Sequence, residues 1–135
     1  LPLEERITPA PPAVVTLPAF VAGAAEEAIP QMIAAEREAS RTGDLPLLAQ
    51  LWAEDARIAD TRGTREEADD FVWPNRAAIL NRYEIAVFPA PPPGLEELPS
   101  PQIIVEGDSA VASNGNDTWH FVWRAGRWWL AELRY

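Results

Sequence analysis

A chain of 135 residues with 47% hydrophobic side chains is the size of one domain with one core. Its net charge of −10, with eleven arginines and no lysine, would meet a phosphate backbone with repulsion, which argues against nucleic acid as a partner. The absence of cysteine and the single histidine, His120, leave no disulfide, thiolate nucleophile or Cys- or His-rich metal centre, and no run approaches the roughly 18 to 20 apolar residues of a membrane span.

Residues 1–19 are proline-rich and poor in aromatics, the composition of an extended segment, and residues 20–135 are expected to form the domain. The opening at Leu1 rather than a methionine favours export after signal removal over a cytoplasmic location. From Phe20 onward Ala25, Ile29, Met32, Ile33, Glu36 and Ala39 recur at helical steps. Pro30 predicts either a helix start near Ala28 or a kink. Gly43 suits a left-handed helix end, and Asp44 can cap a short second helix over 45–52.

A strand is predicted over 56–60, then an acidic polar loop to Asp70 whose REEADD run lacks the glycine and ligand order of a calcium loop. A third, amphipathic helix covers 75–87, with Pro74 placed for its first turn. The prolines of 88–101 predict a loop or crossover. The remainder reads as strands: 102–106, 109–113, and an apolar hairpin over 118–135 that carries four of the six tryptophans. Turns are expected at Gly107-Asp108, Asn114-Gly115 and Ala125-Gly126, the last allowing either a two- or a three-residue loop. Helices followed by antiparallel strands predict an α+β domain with helices on one face of the sheet. The other face, loaded with apolar side chains, predicts a homodimer, with His120, Trp129 and Leu133 at the seam.

Four stretches in this order, TGDLPLLAQLWAEDARI, DTRG, NRAAILNRYEIAVF and VEGDSAVA followed by FVWRAGRWWLAEL, resemble the nuclear transport factor two-like superfamily, which includes the ketosteroid isomerase and SnoaL-like proteins. The resemblance runs from about Ala22 to Tyr135. It implies a cone: helices closed over a strongly curved, mainly antiparallel sheet, an internal pocket, and dimers made through the sheet. In isomerase members the base is an aspartate just after the first strand, matched here by Asp60. Their two oxyanion donors, a tyrosine and a protonated aspartate, fall on Glu36 and Trp119, so that pair is missing.

The candidate residues follow. Asp60 is either a base in a dry cavity or an ordinary turn residue, and with Glu36 it forms the minimal acid–base constellation the chain can offer. Glu36, on an apolar helix face, requires a partner, for which Arg82 is the candidate. Glu132 is read as paired with an arginine. Trp52, Tyr83, Trp119 and Trp123 are candidate pocket walls, or alternatively fill the cone completely. The expected function is a small-ligand-binding or assembly module without metal or cofactor, its ligand apolar or mixed; the alternative is an isomerase, dehydratase or cyclase with Asp60 as base.

Overall fold

A computed structural model describes residues 17–93 and 100–135. The proline-rich segment 1–16 and the middle of the 88–101 crossover lie outside the described residues. After a 3-10 turn at Ala19–Ala22 come helices α1 (Ala25–Thr42) and α2 (Leu45–Leu51) and strand β1 (Trp52–Asp60). A 3-10 turn at Glu67–Asp69 leads into β2 (Phe71–Trp73) and α3 (Arg76–Arg82), which continues as a π turn over Tyr83–Val87. Strands β3 (Gln102–Glu106), β4 (Ser109–Asn114), β5 (Asp117–Arg124) and β6 (Arg127–Arg134) complete the chain.

The six strands form one open sheet in the order β2-β1-β6-β5-β4-β3, antiparallel except for the β1–β6 pair. This is the α+β architecture expected, with helices packed on one face of a mainly antiparallel sheet.

Local chemistry explains most element ends. Gly43 adopts φ 78° and its N–H closes α1 on the Ala39 carbonyl at 2.9 Å. Asp44 then accepts from Leu47 N at 3.2 Å to start α2. Asn75 caps α3 through Ala78 N at 2.9 Å, so Pro74 sits just before the cap rather than in the first turn. Pro30 neither starts nor ends a helix: α1 begins at Ala25 and runs through it. The buried row Ala25, Ala28, Ile29, Met32 and Ile33 holds that segment against the sheet and outweighs the lost backbone bond.

The hairpin turn between β5 and β6 is the two-residue form, with positive φ at both Ala125 (52°) and Gly126 (77°). The β4–β5 loop is Gly115-Asn116 rather than Asn114-Gly115, because Asn114 is still paired, with Asp117.

Register decides which side chains face the helices. Trp119, Phe121 and Trp123 on β5 pair with Leu133, Leu130 and Trp128 on β6 and face inward. Because Phe121 pairs with Leu130 and His120 with Glu132, Ala131 is an extra residue, a β-bulge. It switches the alternation of β6, so Leu133 points in while Trp129, two pleats earlier on the same nominal parity, points out. The outer face carries Arg57, Glu132, His120, Val111 and Ile104 in one row across five strands.

Candidate functional site

Between α1, the π turn and the inner face of the sheet lies an open cavity of about 380 Å³. Its walls include Trp73, Tyr83, Val87, Trp119, Leu133 and Tyr135, and its polar groups are Glu36, Arg37, Arg82 and Asp117.

Glu36 is the least expected of these, a carboxylate only 6% exposed on the packed face of α1. Among the described residues no arginine bonds to it. Instead Oε1 accepts from the Tyr83 hydroxyl at 2.9 Å and lies 2.9 Å from Ser40 Oγ, whose one proton is shared with the Glu36 backbone carbonyl at 2.8 Å. The Tyr83 oxygen in turn accepts from Trp52 Nε1 at 3.0 Å. The direction of this chain is fixed, since an indole N–H can only donate. The single hydroxyl proton of Tyr83 therefore goes to Glu36 Oε1, and a proton on the carboxyl belongs on Oε2, the oxygen that accepts from neither Tyr83 nor Ser40. Burial pushes the Glu36 pKa up, against the opposing hydrogen bonds from Ser40 and Tyr83 and the charges of Arg37 and Arg82. Tyr83, 1% exposed, is held well above its usual value by burial and by the neighbouring carboxyl, so it remains a hydroxyl donor.

The π turn places Tyr83 here. Its N–H is shared between the Ile79 and Leu80 carbonyls, and Phe88 N closes the wider turn on Tyr83 O at 2.8 Å. Tyr83 stacks on Phe88 with ring centroids 5.9 Å apart.

The Arg82 side chain, expected on Glu36, goes elsewhere. Its Nη2 donates to the Tyr135 hydroxyl at 3.1 Å, and the guanidinium lies 5.0 Å from the Trp73 ring, 5.9 Å from Tyr83 and 5.6 Å from Tyr135. Among the described residues no carboxylate is within ion-pair distance of it. Arg37 has one distant partner, Asp117, at 3.9 Å, and its buried Nε has none. Burial also raises the Asp117 pKa.

Tyr83 and Trp119 thus stand on the cavity. Trp52 is fully buried behind it, its ring 6.4 Å from Trp119, and acts through Tyr83 rather than as a wall. Trp123 is outside the lining, packed edge-on against Trp128 at 5.5 Å near the hairpin turn. Asp60 does not border this cavity: at the end of β1 its Oδ1 accepts from Arg62 N at 2.9 Å, the turn arrangement. The structure therefore does not bring Asp60 and Glu36 to one cavity.

Of the residues expected at the seam, Leu133 is instead a cavity wall, for the bulge reason given above. His120 is on the outer face with Nε2 3.9 Å from Glu132, which binds Arg57 at 3.2 Å. Trp129 is also outside, with one ring face covered by the Arg127 guanidinium at 3.6 Å. Arg127 is itself tied to the Gln50 carbonyl at 2.7 Å, and burial lowers its pKa to about 10, so it remains charged at neutral pH. Asp70, in the acidic loop, is buried against Arg134 at 3.0 Å, while its loop neighbours are exposed. Among the described residues no cluster of His, Asp and Glu is placed to hold a metal ion, and no helix is long and apolar enough to cross a membrane.

No family model and no curated protein matches the sequence. Solved structures do match the architecture. An NTF2-like protein with a cystatin-like fold from Novosphingobium aromaticivorans superposes with a TM-score of 0.61 at 22% identity, over 81% of this chain and 79% of that one. The fold is the NTF2-like, cystatin-like one. An NTF2-like protein of unknown function from Pseudomonas putida gives 0.61 at 19% identity, over 82% and 84% of the two chains. An uncharacterised cystatin-like protein from Caulobacter vibrioides gives 0.60 at 16%, over 81% and 86%. At these identities the likeness concerns the NTF2-like fold alone, and function rests on the cavity.

Proposed function

We propose that this NTF2-like domain is a binding module for a small, partly apolar ligand, acting as a homodimer joined through the outer face of its sheet. The observation that carries the ligand reading is the cavity of about 380 Å³, walled by aromatic and aliphatic side chains and ending on the Glu36–Tyr83–Trp52 chain. A few convergent polar groups in an apolar recess are what orients a small molecule. The dimer reading is supported by the outer face, where Val111, Val122 and Trp129 are incompletely buried and Ile104 is 64% exposed.

A ligand-observed NMR screen of small aromatic compounds tests the first reading, with quenching of intrinsic tryptophan fluorescence as a second signal because Trp73 and Trp119 line the cavity. No binder, or binders unaffected by Trp119→Ala, sinks it. Sedimentation at micromolar concentration tests the second: the dimer mass is expected, reduced to that of the monomer by Trp129→Glu.

An acid–base enzyme is the second reading, and a buried carboxyl, Glu36, with a raised pKa in the cavity lining favours it. Asp60, tied into its own turn, draws no support for the base role that the resemblance attaches to it. A turnover screen with Glu36→Gln and Asp60→Asn as paired controls separates the two residues.

A further inference from the structure

The cavity carries two guanidiniums that its own carboxyl groups do not bind at hydrogen-bond distance. Two guanidiniums, Arg37 and Arg82, line it. Two carboxyl groups, Glu36 and Asp117, share the lining and feel both charges, but only Asp117 comes within ion-pair distance, 3.9 Å from Arg37. Glu36 is occupied on Oε1 by neutral donors and bonds to neither arginine. Arg82 is held in place by Tyr135 and three aromatic faces, none of which cancels a full charge, and the Arg37 Nε is buried with no acceptor. In a chain of net charge −10 arginines have many carboxylates to choose from, yet among the described residues neither of these two has a carboxylate at hydrogen-bond distance, Asp117 standing 3.9 Å from Arg37.

We infer that the ligand of this cavity is a small aromatic or alicyclic carboxylate, its acid group bound by Arg82 and Arg37 and its apolar body resting on Trp119, Val87 and Leu133. The inference rests on the ligand-binding reading above and narrows it to a chemical class. A planar guanidinium is suited to two parallel bonds with a carboxylate, and low dielectric strengthens them. Burial shifts Glu36 toward its neutral form, which lessens the repulsion a second carboxylate would otherwise meet. In that form the carboxyl is a hydrogen-bond donor as well as an acceptor.

The test uses two probes of matched shape, naphthylacetate and naphthylacetamide, titrated by calorimetry at neutral pH into the full chain. The acid is expected to bind about tenfold or more tighter than the amide, the difference a charge-assisted contact makes. Arg82→Met should remove that preference, and Arg82→Lys should retain part of it. Circular dichroism confirms that each variant is folded; if Arg82→Met does not fold, Arg37→Met and Arg82→Lys carry the comparison. Equal binding of acid and amide overturns the carboxylate assignment and leaves the ligand-binding reading standing, as does an acid preference that survives both methionine variants. Binding of neither probe at millimolar concentration overturns both.

Discussion

The Tyr83 hydroxyl donates to Glu36 Oε1 at 2.9 Å while accepting from the Trp52 indole at 3.0 Å, and this one oxygen joins α1, β1 and the π turn. Tyr83→Phe leaves the Trp52 N–H and one Glu36 lone pair buried without that partner. The expected loss is about 1–3 kcal/mol of stability. Urea denaturation measures it, and a change under about 0.5 kcal/mol would mean that the chain is incidental.

Glu36 should make the fold pH-dependent in a definite direction. Its folded pKa is raised above the ordinary 4.5, chiefly by burial, so the folded state holds the proton more tightly than the unfolded chain does. The stability linked to that proton is fully present below 4.5 and is lost as pH rises through the folded value. Glu36→Gln keeps an oxygen acceptor and an N–H donor but cannot ionise, so its stability should decline less over that range. Asp117, also raised by burial, contributes with the same sign in both proteins, and the difference between them isolates Glu36. Parallel denaturation curves for the two proteins across this range would refute the assignment.

Ala125 occupies a left-handed conformation, φ 52°, that an L side chain disfavours by roughly 1–2 kcal/mol. Ala125→Gly or Ala125→Asn should therefore raise stability by about 0.5–1 kcal/mol, asparagine with the smaller entropic penalty in the unfolded chain. A calorimetric Tm that falls for both would show that the turn relaxes to another form.

Leu133, 7% exposed, is expected to behave as an interior residue. Leu133→Ala should cost about 2–3 kcal/mol in urea and leave the sedimenting mass unchanged. A loss under about 1 kcal/mol together with a change in mass would return it to the seam.

The outline of this fold was legible because its signals are local: helical spacing from Ala25 to Ala39, the Gly43-Asp44 stop and start, and alternating apolar residues from Ile103 onward. Strand β2 was not, since three residues, Phe71–Trp73, end an acidic loop and show no alternation to count. The inward turn of Leu133 was hidden because a bulge leaves no mark in composition, and simple parity put it beside Trp129.

At the cavity, the burial of Glu36 was readable from its apolar helix face. Its partners were not, because Tyr83 lies 47 residues from Glu36 and 31 from Trp52. A buried acid in an apolar setting is served as well by neutral donors as by an arginine. The paired search for a charge pointed to Arg82, which the structure instead gives to Tyr135.

Both walls of the cavity contain one residue more than regular geometry allows: the π turn that begins at Tyr83 and the bulge at Ala131. Removing either would rotate a different side chain into the recess without altering any amino acid that lines it now. Two proteins of this fold can therefore look nearly alike when their sequences are superposed and still offer different linings, with a length difference of one residue taking the place of a substitution.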